Sequence, residues 1–84
     1  MELYERVEKV KSRNDLIKFI NHLRMDLKIN KDDWENVTLE DFLEAMEAWV
    51  NDMEGLYLNS NEPIPKQPSW KTISDMLYAS SMYE

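Results

Sequence analysis

The sequence predicts a small all-α domain, a three-helix bundle with an extra short N-terminal helix and a long Pro-containing loop before the last helix. Three observations carry that prediction. Apolar residues recur at spacings of three and four over residues 13–28, over residues 38–55 and again after Ser69. A Ser or Thr stands immediately ahead of each stretch, where its hydroxyl can accept from a free backbone N–H of the first turn. Asn, Asp and Pro collect between the stretches, as turns require.

Taken in order, residues 2–11 place Leu3, Val7 and Val10 at helical spacing among alternating acids and bases, a short helix or an extended arm. Ser12 with Asp15 three residues on has the form of a capping box, and Leu16, Phe19, Ile20, Leu23 and Leu27 then share one face. Met25 points away from that face and Ile17 lies on its flank. Residues 29–37 interrupt the pattern as a connection, with Trp34 expected to fold back onto the bundle, since a Trp buries about 150–250 Å².

The stretch from Thr38 to Gly55 is the most complete helix, and the rest of the chain is expected to pack around it. Thr38 serves as N-cap, Glu40 and Asp41 sit at the positive end of the dipole, and Gly55 supplies the left-handed stop. Leu39, Phe42, Leu43, Met46, Trp49, Val50 and Met53 form its stripe, with Trp49 and Trp70 assigned to the core. Pro63, Pro65 and Pro68 then predict an extended crossing. After Ser69, the residues Trp70, Ile73 and Leu77, with Ser80 and Ser81, line one side of a last helix.

Composition narrows the function classes. The 84 residues make one domain, 1–84, which buries about 60–65% of its unfolded surface. There is no Cys, so disulfides and thiolate metal sites are excluded and a reducing compartment fits. No signal-peptide pattern opens the chain and no apolar run approaches the ~20 residues that span a bilayer, so a soluble cytoplasmic protein is expected. The Asn36-Val37-Thr38 sequon is then read as chance.

Charge is segregated. Residues 1–31 carry a net +3, residues 32–65 a net −10 with no basic residue, and residues 66–84 a net zero, within a total of −7. Nucleic acid and anionic membranes are poor partners for such a chain, because each phosphate contact needs a cation. A basic protein suits it better.

Trp34, Thr38-Leu39-Glu40-Asp41-Phe42-Leu43, Trp49, Tyr57, Asn59, Pro68-Ser69-Trp70 and Tyr83-Glu84 together resemble a family of short uncharacterised bacterial proteins, a domain of unknown function, over residues 7–84. The resemblance implies a bacterial or phage-related source and a free-standing domain. It implies no activity and no catalytic residues.

The candidate partner-binding residues are Glu40, Glu44, Glu47 and Glu54, a ridge on the flank of the central helix, together with Tyr57 and Asn59 beside the proline segment. The bland alternative for the ridge is neutralisation by Arg24, Lys28 and Lys31, or plain screening by salt. No metal or cofactor is expected: a lone His22 cannot supply the paired Glu-x-x-His ligands of a di-iron bundle, and position six of a calcium loop begun at Asn30 is Glu35 where Gly is needed. His22 is expected at the surface. One glycine excludes phosphate-cradling loops, and no nucleophile elbow surrounds any Ser or Thr, so an enzyme is not expected. What remains is a non-enzymatic, acidic protein-interaction module, such as an immunity- or inhibitor-type protein binding a basic partner. The alternative is a structural homodimer built through Met25, Met46, Met76, Met82 and exposed aromatics.

Overall fold

The last helix, not the central one, is the hub. The computed structural model describes residues 1–83, and it contains α1 (Leu3–Val7), α2 (Arg13–Ile29), a 3-10 turn (Lys31–Asp33), α3 (Leu39–Asn59) and α4 (Trp70–Met82), with no strand among the described residues. Helix α4 packs against α1, α2 and α3, whereas α2 and α3 do not pack on each other. The expectation that the chain is organised around residues 38–55 is therefore corrected: α3 is the longest helix but touches only α4.

The reason lies in side-chain size. Ser74, Ser80 and Ser81 are 0% exposed and Thr72 is buried, so α4 is slim enough for neighbours to approach on several sides. Their hydroxyls would be costly to bury unpaired. Each of the three serines instead donates back to its own helix: Ser74 Oγ to the Lys71 carbonyl at 2.7 Å, Ser80 Oγ to the Met76 carbonyl at 2.7 Å, and Ser81 Oγ to the Tyr78 carbonyl at 2.6 Å.

Helix α4 divides the apolar interior into two layers. On one side Val7, Val10, Leu16, Phe19 and Leu23 form the principal core, against which Ile73, Leu77 and Tyr78 pack. The N-terminal segment is thus helical and contributes buried residues. On the other side α3 buries Ala45, Trp49 and Tyr57, and the rings of Trp49 and Tyr57 meet edge to face at 6.0 Å.

The caps behave largely as read. Ser12, Thr38 and Ser69 each accept from the backbone N–H three residues on, Ser69 in a capping box with Thr72. One detail differs. Asp15 reaches back to the N–H of Lys11 and not of Ser12, so the first box is displaced by one residue.

The stop at Gly55 is corrected. Helix α3 runs on to Asn59, and Gly55 keeps a negative φ. The left-handed residue is Asn61 (φ 58°): its N–H donates to the Leu58 carbonyl at 3.1 Å and the N–H of Glu62 to that of Tyr57 at 3.0 Å, the two bonds of a Schellman motif. Gly inside a helix costs only about 1 kcal/mol relative to Ala, and burial of Tyr57 two residues beyond outweighs it.

The stripe on α3 is also rotated from its expected centre. Phe42, Ala45, Trp49 and Tyr57 face inward, while Leu39, Leu43 and Val50 are 73%, 51% and 43% exposed, because α4 alone covers this helix and covers only part of its apolar arc. Trp70, expected in the core, is 42% exposed in the first turn of α4, and Ile20 of α2 likewise lies outside the buried face. Met25 is exposed, as its position indicates.

The first connection ties the ends of the molecule together. Trp34 folds back as expected, stacking on Phe42 at 6.4 Å and donating Nε1–H to Asp26 Oδ2 at 2.8 Å. The backbone N–H groups of Glu35 and Asn36 both donate to the Ser81 carbonyl at 3.1 Å, and Asn36 Nδ2 donates to the carbonyls of Ser80 (3.0 Å) and Tyr83 (2.8 Å). The Ser80 and Ser81 carbonyls belong to the last turn of α4 and Tyr83 is its C-cap, where carbonyls find no N–H donor within the helix. Tyr83 Oη donates to Asp52 Oδ2 and fastens the same end to α3.

Replacing Ser80 by Leu is expected to destabilise the fold by about 1–3 kcal/mol, since an overpacked helix must move away from its neighbours. A lowered urea midpoint with unchanged m-value checks this.

Candidate functional site

On α3 the glutamates project away from the hub. Glu40, Glu44, Glu47 and Glu54 are all exposed, at spacings of four, three and seven, on the side of the helix opposite Ala45 and Trp49. Because the buried arc is rotated, they form the crown of the helix and not its flank. Ion pairs among the described residues join Lys71 to Glu8 and Asp75, and none involves these four. Arg24, Lys28 and Lys31 make no ion pair with them among the described residues, since α2 packs on α4 and not on α3. Beside the glutamates lie the exposed Leu39, Leu43 and Val50, so the surface of α3 combines carboxylates with uncovered apolar groups.

Tyr57 and Asn59 part company. Asn59 is exposed at the end of α3. Tyr57 is turned inward, so it does not form the exposed recognition edge expected of it; its Oη donates to Asp75 Oδ2 at 2.7 Å. Asp75 also accepts from Lys71 Nζ at 3.1 and 3.3 Å, and Lys71 lies 3.6 Å from Glu8 Oε1 of the segment after α1. A recess of about 470 Å³ opens beside this cluster, with Val7, Trp49 and Leu56 among its walls and Glu62 at its edge.

Electrostatics make the cluster a clamp. Burial, then the hydrogen bond to Asp75 and its charge, push the Tyr57 phenol far above its ordinary value of 10.0, so it remains a donor. Burial works against the Lys71 ammonium, but the hydrogen bond and charge of Asp75, with Glu8 and Glu62, outweigh it and raise its pKa. A phenol held protonated and a lysine held charged offer neither a general base nor a nucleophile near neutrality. The cluster joins α3, α4 and the end of α1. The i,i+4 pair Lys71 and Asp75 was visible in the sequence as a helix-surface pair, but nothing there placed Tyr57 against it.

His22, expected at the surface, is half-exposed and its Nε2 lies 3.0 Å from Arg6 Nη1. A guanidinium has only donors, so this ring nitrogen accepts and the imidazole is neutral. Partial burial and the Arg6 charge, with a smaller contribution from the N-terminal ammonium, lower its pKa from 6.5. Among the described residues no group of three or more His, Asp or Glu is gathered as a metal site. No helix among them is long and apolar enough to cross a membrane.

The sequence of residues 12–84 matches a family described as a family of unknown function, DUF7660. The chain belongs to that family. The span shared with DUF7660 begins at Ser12, the N-cap of α2, and includes the four glutamates, Tyr57, Asn59, Lys71 and Asp75; α1 and Glu8 precede it. Neither the curated proteins nor the solved structures contain a significant match to the chain.

Two outcomes follow from the titrating groups. Tyr57→Phe is expected to cost about 1.5–3 kcal/mol at neutral pH, the range for hydrogen bonds to charged groups. Because the folded-state pKa is raised, that contribution is complete below pH 10.0 and is lost as pH rises beyond it, so urea midpoints of the two proteins converge in strong alkali. For His22 the folded-state pKa is lowered, so its contribution is complete above 6.5 and declines as pH falls below it. The drop in urea midpoint between neutral and mildly acidic buffer is expected to be smaller for His22→Gln than for the parent protein.

Proposed function

We propose that the chain is a non-enzymatic protein-interaction module whose acidic α3 face docks a basic protein partner. The observation that carries this reading is the exposed set Glu40, Glu44, Glu47 and Glu54, which has no ion pair with the chain's own lysines or arginines among the described residues. Like charges at three- and four-residue spacing cost an isolated helix about 0.2–0.5 kcal/mol per pair. A cationic surface brought against the ridge relieves that repulsion and steers association from a distance.

In its most concrete form the module is an immunity- or inhibitor-type protein of the bacterial cytoplasm that neutralises a cationic toxin or nucleic-acid-binding enzyme. The absence of Cys supports a reducing setting. Asn59 is exposed at the end of α3, turned away from Glu54 by more than a third of a circle; Tyr57 supports the acidic face from beneath by fixing α3 on α4. The uncovered Leu39, Leu43 and Val50 also favour a second reading, a homodimer.

Association with a Lys/Arg-rich protein, followed by stopped flow, is expected to slow steeply with added salt. The double change Glu44→Lys with Glu47→Lys is expected to reduce the rate about tenfold or more at low ionic strength. A rate indifferent to salt and to these changes overturns the proposal.

A further inference from the structure

Two outward stripes of this molecule are complementary to each other but not in contact. On α3, Leu39, Leu43 and Val50 are exposed and Glu47 and Glu54 stand beside them. At 100° per residue these five fall within a sector of about 80°. On α2, Ile17 is 55% and Ile20 38% exposed, and Arg13, Arg24 and Lys28 are exposed around them, again within about 80°. None of these three cations is ion-paired among the described residues. Residues 13–28 and 39–54 are the same length, each about 22 Å at 1.5 Å per residue.

The stripes also share one side of the molecule. Leu23, Arg24 and Leu27 of α2 and Leu39 and Phe42 of α3 wall a single apolar groove of about 310 Å³. Within one chain α4 holds the two helices apart. Between two chains nothing does.

We propose that the protein forms a two-fold dimer in which the basic stripe of α2 in each copy packs along the acidic stripe of α3 in the other, covering the α3 face. In the antiparallel register Arg13 meets Glu54, Ile17 meets Val50, Ile20 and Arg24 meet Glu47 and Leu43, and the stem of Lys28 meets Leu39. Two-fold symmetry makes the contact twice. The dimer is then the form in which the α3 carboxylates are neutralised by a second copy, and a basic partner must displace that copy. This last step rests on the proposed function; the dimer itself does not.

Charge-swapped variants test it. By sedimentation equilibrium the parent protein is expected to be dimeric, with a dissociation constant that rises with salt. Arg13→Glu with Arg24→Glu, and separately Glu47→Lys with Glu54→Lys, are each expected to weaken self-association by about a hundredfold, since opposed like charges occur at both seams. Mixing the two variants is expected to restore a one-to-one dimer, because each seam then pairs opposite charges; this rescue also excludes misfolding as the cause of the loss. A parent protein that stays monomeric up to ~1 mM, where a binding free energy would be only about 4 kcal/mol, overturns the dimer. So does a dimer untouched by the swaps, or a mixture that remains monomeric. A Lys/Arg-rich helical peptide separates the two ideas. If the Arg13→Glu, Arg24→Glu monomer binds it more tightly than the parent dimer does, both stand. If the dimer behaves as described but neither form binds the peptide, the dimer survives and the partner reading fails; a monomeric parent that binds it has the reverse meaning.

Discussion

Close approach at α4 is the condition on which the other contacts rest. A helix surrounded on three sides must be narrow, and Ser74, Ser80 and Ser81 make it so while returning their hydroxyl protons to carbonyls of the same helix. The gain is proximity: large residues come from the neighbours, Phe19 and Leu23 from α2 and Trp49 from α3. Where α4 ends, its free carbonyls are taken by Glu35 and Asn36, more than forty residues earlier in the chain. The connection between α2 and α3 is therefore also the C-terminal cap of α4.

This arrangement governs the electrostatics as well. The basic segment supplies α2 and the acidic block supplies α3, and the hub holds them apart. Had they packed on each other, their charges would have cancelled within the chain and their exposed apolar residues would have been covered. Separation leaves two faces of opposite sign, each with an uncovered apolar strip. The cluster around Lys71 does bring opposite charges together, and there the hydroxyl of Tyr57 completes the set.

Much of the local structure was legible because its causes are local. Ser12, Thr38 and Ser69 mark helix starts through bonds that span three residues, and the proline segment forbids helix by its fixed φ and missing donors. What the sequence hid is tertiary. Gly55 resembles a stop, yet a propensity cost near 1 kcal/mol yields to the burial of Tyr57, and Asn61 takes the left-handed position instead. The apolar stripe of α3 is wider than one narrow partner can cover, so which edge stays uncovered depends on a helix more than ten residues downstream. Serines on α4 give no hydrophobic signal, so nothing in the sequence marks this helix as the hub. Within the site, the exposed glutamates were readable from helical spacing, whereas the inward turn of Tyr57 required Asp75 to be seen beside it.

The position of the hub in chain order bears on biosynthesis. Helix α3 has no helical neighbour other than α4, and the core shared by α1 and α2 also needs Ile73, Leu77 and Tyr78. As the polypeptide leaves the ribosome, then, residues 1–69 lack the helix on which both layers close, and consolidation waits for α4 to emerge. Nascent forms of this protein are the ones that present its oily surfaces to chaperones and proteases, and a truncated translation product lacking α4 would do so permanently.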